Sequence, residues 1–229
     1  MSAMDFVEEQ GVNIIANGTF NPAIFHPAWL SKHGLITSEE EDSARLSIAH
    51  AEVSQFQIPG MKFDIQTERC LIQAAAEPLV RSIDLFARIF GELLPHTPIE
   101  AVGVNYWAHF RLNSWKQRQE FGRRLAPIEE WGDYGKLMDH KGKDDAGGFS
   151  TLAFRAKFPE YGSLGAINVT VQPSTRVEND VGVFMNINHH IADENQTFNF
   201  SAIVTERFDQ IIYQSREIIS HMISVGRSS

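Results

Sequence analysis

The chain has a single cysteine, Cys70, in 229 residues. That excludes an internal disulfide and any thiolate-rich metal site. A lone cysteine in an apolar run reads as a small core residue. Basic charge is also scarce: 20 Lys and Arg stand against 29 Asp and Glu, giving a formal charge of −9 and an isoelectric point near 5.4. A general affinity for nucleic acid, which needs a basic face, is therefore not expected. No apolar run approaches the ~18 residues of a membrane span, so no membrane association is expected. The opening MSAMDFVEEQ lacks the basic and apolar regions of a secretory signal, and the expected compartment is the cytoplasm.

Nucleotide and nucleophile motifs are missing as well. There is no G-x-S-x-G elbow, and no histidine stands near Cys70 in sequence. Gly142, Gly147 and Gly148 follow a charged loop, not a strand, so they make neither a phosphate loop nor a dinucleotide fingerprint. No H-E-x-x-H pattern occurs, and no metal or other cofactor is expected.

What is present is periodicity. Val12–Phe20 reads as a strand, followed by Asn21-Pro22 and a short helix through Trp29 and Leu30 to Gly34. The FNPAIFHPAW segment, Phe20–Trp29, reads as a core-facing loop and helix. The acidic run Ser38–Asp42 reads as a solvated loop. Val53–Ile58 and Met61–Ile65 alternate about Pro59-Gly60, a hairpin signal, and Cys70–Ala75 offers another strand. From Glu77 to Leu94 the apolar residues keep helical spacing, with Pro78 in the first turn and Pro95 beyond the end.

The second half repeats that order. Ile99–Leu112 alternates as a strand, and Ser114–Leu125 reads as a helix with Ser114 as its N-cap. Gly132–Gly148 is polar and glycine-rich and reads as a loop. Three strands follow, Thr151–Phe158, Ala166–Gln172 and Val181–Asn188. A long helix then runs from Phe198 to Met222.

The expected fold is α+β: a mostly antiparallel sheet with long helices packed on one face. It forms a single domain over residues 1–229, built from two pseudo-repeats of β-α-β(2-3)-α, about 12–95 and 99–224. The two halves share element order and not residue identity. This layout resembles the doubled TATA-box-binding-protein-like fold, in which a curved sheet carries its helices on its back. The resemblance implies a helix-free face open for binding.

If the apolar residues of each strand face the helices, alternation assigns the opposite face. Asn105, Trp107, His109 and Arg111 come from one strand, and Arg155 and Lys157 from another. Asn168, Thr170 and Gln172 supply a third row, and Phe184, Asn186, Asn188 and His190 a fourth. Amides, aromatics and cations together make an adaptable recognition surface, suited to a protein partner or a small anionic ligand. The expected function is thus a non-enzymatic binding protein. Sheet edges that pair readily make a homodimer an expectation too. Nucleic acid on the same face is a third reading, opposed by charge. The cluster Lys116, Arg118, Arg123 and Arg124 reads as a solvated basic helix face.

One local signal points to an enzyme instead. In VGVFMNINHHIADE, a strand runs into His189-His190, and Asp193 follows His189 by four residues. This resembles the HxxxD signature of chloramphenicol-acetyltransferase-like and condensation-domain acyltransferases, which implies His189 as general base and Asp193 as its support. The match departs at Glu194, where the family has glycine. Neighbouring histidines on an extended chain point to opposite faces, which argues against joint metal ligation.

Overall fold

In the computed structural model, which describes residues 2–139, 147–194 and 199–228, nine strands form one antiparallel sheet. In chain order they are β1 (Val7–Gly18), β2 (Arg45–Ala49), β3 (Val53–Ile58), β4 (Met61–Gln66), β5 (Arg69–Ala74), β6 (Ile99–Arg111), β7 (Leu152–Lys157), β8 (Ala166–Pro173) and β9 (Gly182–Ala192). Their order across the sheet is β2-β3-β4-β5-β1-β6-β9-β8-β7. The first strand of each half therefore lies at the centre, β1 against β6; the chain then crosses to an edge, β2 or β7, and each half's meander returns inward to end beside that first strand, β5 on β1 and β9 on β6.

The helices are α1 (Pro27–Lys32), α2 (Ser38–Asp42), α3 (Arg81–Ala87), α4 (Trp115–Leu125), α5 (Asp133–Met138) and α6 (Phe200–Arg227). Helix α3 packs on β1 and β5, and α6 packs on β6 and β9, both on one face of the sheet. The reason lies in period. On that face the strands present Val12, Ile14, Phe63, Ile72, Val104, Phe110, Met185 and Ile187, all fully buried or nearly so. α6 returns Val204, Phe208, Ile211, Ile219 and Ile223 at helical spacing. Fully burying each such side chain is worth about 1.5–3 kcal/mol, and one continuous apolar cluster results. Phe20 and Phe25 join it against Phe90, so FNPAIFHPAW is core as expected. None of the described helices is long and apolar enough to cross a membrane.

Several elements differ from the sequence reading. Ser38–Asp42 is a helical turn, because Thr37 and Glu40 close a capping box at its start. Pro78 does not open the helix that follows. α3 begins three residues later and continues as a π-helical segment, Arg88–Leu93, that carries the chain to Pro95. Strand β2 escapes the sequence reading although Leu46 and Ile48 alternate with Arg45 and Ser47; it is five residues long and none of them is buried. Asp133–Met138 is a helix; residues 140–146 of the expected loop lie outside the described residues. Ser114 caps α4 as expected, accepting from the Gln117 amide. Its basic face is not simply solvated: Arg118 is buried and paired with Asp180, Arg123 pairs with Asp139, and Arg124 donates to the Val225 carbonyl. β9 runs on to Ala192, which puts His189 and His190 inside a strand and not at its end.

Candidate functional site: an amide-lined depression on the helix-free face

Strand registers bring one polar residue from every strand into a single row. Reading across the sheet it is Arg45, Gln57, Lys62, Gln73, Asn13, Asn105, Asn188, Asn168 and Arg155. Directly paired residues point to the same side, so all nine lie on the face opposite the helices. Eight strand spacings make the row about 38 Å long. Its ends are exposed and its middle, Asn105, is buried.

The central amides bind one another. Asn105 Oδ1 accepts from Asn186 Nδ2 at 3.1 Å and Asn188 Nδ2 at 3.0 Å, while its own Nδ2 donates to the Gly103 carbonyl at 3.3 Å. Asn188 Oδ1 accepts from Asn168 Nδ2 at 3.0 Å. Asn13 Oδ1 takes the Trp107 indole N–H at 3.1 Å. Gly103 makes room for this network: a Cβ there would stand 2.6 Å from Asn188 Nδ2. Gly11 plays the same part for Trp107, whose ring lies where a Gly11 Cβ would come within 2.5 Å of it.

Beside the amides stand three rings. His109 lies 4.7 Å from Phe184 and 5.8 Å from Trp107 between ring centroids. The Arg176 guanidinium covers Trp107 at 5.7 Å and pairs with Glu9. Asn13, Ile15, Gln73, Asn105, Trp107, His109, Thr170, Arg176, Phe184 and Asn186 together line an open depression of about 370 Å³. Of the residues read from sequence, the structure brings Asn105, Trp107, His109, Phe184 and Asn186 into it. Trp107 and His109 are 5% and 7% exposed, far less than open-face residues would be, because the segment after β8 folds over them.

The other residues expected there stand at its margins. Arg111 is exposed at the end of β6, near Glu8 at 3.7 Å. Arg155 is exposed on the edge strand β7. His190 is half-buried, and burial, followed by the positive charge of Arg155, holds its imidazole below the ordinary range. Sequence reasoning drew the site from the second half alone. Asn13, Ile15 and Gln73 come from the first half, and only the β1–β6 register joins them to it. Asn13, between the buried Val12 and Ile14, was the available signal.

His109 shows what the site can do chemically. Its Nδ1 lies 2.8 Å from Ser174 Oγ, which also accepts the backbone N–H groups of Arg176 and Val177. With its lone pairs engaged, the hydroxyl gives its proton to Nδ1, which leaves the imidazole proton on Nε2. Burial, then the Arg176 charge, lowers the His109 pKa, so the ring is neutral at pH 7. Ser174 Oγ thereby ties the turn after β8 to the His109 ring, donating to Nδ1 and accepting the two backbone N–H groups.

The HxxxD pair does not assemble. His189 is completely buried on the helix side, with Nδ1 2.9 Å from the Tyr161 hydroxyl and Nε2 3.0 Å from Ser215 Oγ of α6. Burial lowers its pKa to about 4. Asp193 instead accepts from Ser163 N and Oγ, bracing a turn. Both nitrogens of His189 are occupied and no acceptor substrate could reach them, so a general-base role is corrected to a structural one. The physical reason is strand parity: His189 shares its face with Ile187 and Ile191, and His190 takes the other. Among the described residues no cluster of three His, Cys, Asp or Glu side chains could hold a metal ion. Comparison with protein-family models finds no match, and comparison with curated proteins finds none.

Proposed function

We propose that this chain is a non-enzymatic, cytoplasmic interaction protein whose helix-free sheet face receives an acidic protein surface. The observation that carries the reading is the nine-residue polar row: amides at its centre and cations at its ends, on a chain of net charge −9. Arg45, Lys62, Arg155 and the neighbouring Lys157 make no ion pair among the described residues, whereas most cations elsewhere do. Cations left unpaired on an acidic protein steer an anionic partner and set its orientation. The depression beneath supplies aromatic contact and unused amide groups for a central anchor. Its size, with Arg176 at the rim, also favours a small anionic ligand as a second reading. The placement of β1 beside β6, with each half's meander returning inward from an edge, supports the doubled TATA-box-binding-protein-like layout as part of the same proposal.

The test is quantitative co-purification. Wild-type protein and a Lys62→Glu/Arg155→Glu variant of equal stability are compared for bound proteins and, after denaturation, for released small molecules. Loss of an acidic partner from the variant is expected. Equal recovery from both would sink the reading. A small anion lost from a Trp107→Ala variant would select the second reading, and a steep loss of binding to a single-stranded oligonucleotide with salt would select nucleic acid instead.

A further inference from the structure

The two edges of the sheet are not alike. Edge strand β2 carries a register shift between Leu46 and Ile48 where it pairs with β3, and a bulge of that kind twists an edge away from new partners. Edge strand β7 pairs with β8 in unbroken register from Leu152 to Lys157. Five of its six residues are exposed, Phe154 to 50%. Its outer side is a straight run of backbone donors and acceptors. Beside them, on the helix side, stand Phe154 and the half-buried Leu152 and Val169, beyond the cover that α6 gives to β9.

The order of residues along β7 says which strand fits. An antiparallel partner related by a two-fold axis through the sheet keeps both faces aligned only if residues of like parity pair. Centring that axis on Phe154 puts the ring opposite its own copy. Leu152 then faces Ala156 twice on the helix side, and Ala153 faces Arg155 twice on the other. Of the axes that pair five of the six strand residues, at Phe154 and at Arg155, the second would oppose two guanidinium groups, which destabilises a strand pair. The strand is therefore self-complementary about Phe154. We propose that the chain forms a two-fold dimer through β7, with Phe154 packed on Phe154 of the second copy. The two sheets join into one of eighteen strands, and the polar faces become continuous. This interface stands independently of what the polar face binds.

Cross-linking gives the sharpest test. Residues directly opposite in an antiparallel pair have Cα atoms about 4.5–5.5 Å apart, within disulfide reach. In the proposed register Lys157 lies roughly 20 Å from its copy. Cys70, the one native cysteine, is buried and its thiol pushed up to about 12, so it stays silent. Under mild oxidation Phe154→Cys is expected to give a covalent dimer and Lys157→Cys is not. Light scattering and sedimentation over a concentration series should show a wild-type dimer. Phe154→Lys and, separately, Ala153→Lys, which sets a cation opposite Arg155 of the second copy, should each raise its dissociation constant by about tenfold or more, with circular dichroism unchanged. A wild-type protein that stays monomeric overturns the proposal. So does a dimer indifferent to both substitutions, or one cross-linked through position 157 and not 154.

Discussion

Two rows of nine residues cross this sheet one position apart, and they have opposite chemistry. The polar row runs from Arg45 through Asn105 to Arg155. Its neighbour on the helix side is Leu46, Phe56, Phe63, Ile72, Ile14, Val104, His189, Ile167 and Ala156. Each strand contributes to both, so the contrast is set by parity alone. The apolar row stacks Phe56 on Phe63 at 4.6 Å and buries most of its members. The polar row holds Asn105 in a mesh of amides and leaves its ends in solvent. The apolar row carries the packing, and the polar row carries the bonded amides and the exposed cations. Histidine appears in the first only at position 189, where two hydroxyls satisfy it.

The contrast is broken most severely at that histidine. His189→Ala would leave a cavity in the core and strand the Tyr161 and Ser215 hydroxyls. A loss of about 3–5 kcal/mol is expected in urea unfolding. His190→Ala, next in sequence but on the other face, should cost less than about 1 kcal/mol. If the two substitutions cost the same, parity has been misassigned.

The same residue ties stability to pH. His189 has a folded pKa of about 4 against an ordinary 6.5. The unfolded chain therefore binds the proton more readily, and the stability due to the neutral buried ring is present above pH 6.5. It is lost as pH falls from there towards 4, by roughly 3 kcal/mol in all. The buried His109 and the half-buried His190 are shifted downward too and add a smaller part of the same sign. In the apolar row a His189→Gln variant should be less stable at pH 7 but lose less stability between pH 6.5 and 4. A slope identical to wild type would show that the titration lies elsewhere.

The polar row yields to smaller changes. Asn105→Ala removes the acceptor shared by Asn186 and Asn188, at a cost of about 1–2 kcal/mol because water can reach part of the network. Gly11→Ala sets a Cβ against the Trp107 ring and the Ala74 carbonyl. It should redirect the indole, and a changed tryptophan emission without loss of cooperative unfolding is the expected readout.

Much of this was legible in the chain. The α+β class, the α4 cap at Ser114, the hairpin at Pro59-Gly60 and the parity of β6 and β9 all follow from local spacing, because each is decided by residues within a few positions of one another. Asn105, Trp107, His109, Phe184 and Asn186 were found in that way. Asn13 and Gln73 were not, since their place in the site depends on pairings 92 and 60 residues long across the sheet centre, Asn13 with Asn105 and with Gln73. Parity likewise assigned His189 away from His190, yet the short HxxxD pattern hid that consequence. The burial of Trp107 and His109 was also out of reach, because it is the turn at Ser174–Val177 that covers them.

The finest contrast lies between the ends of the polar row and its centre. Arg155→Glu and Lys62→Glu touch exposed side chains that have no ion-pair partner among the described residues, so each should alter stability by no more than about 0.5 kcal/mol. Their effect belongs to association. If charge steers the partner, each reversal slows the on-rate several-fold at low ionic strength and hardly at all at high salt, leaving the off-rate nearly constant. Asn105→Ala should do the converse, raising the off-rate with little dependence on salt. Stopped-flow binding across a salt series separates the two. Should the end cations and the central amide change the same rate constant in the same way, the row does not divide into a steering rim and an anchoring centre.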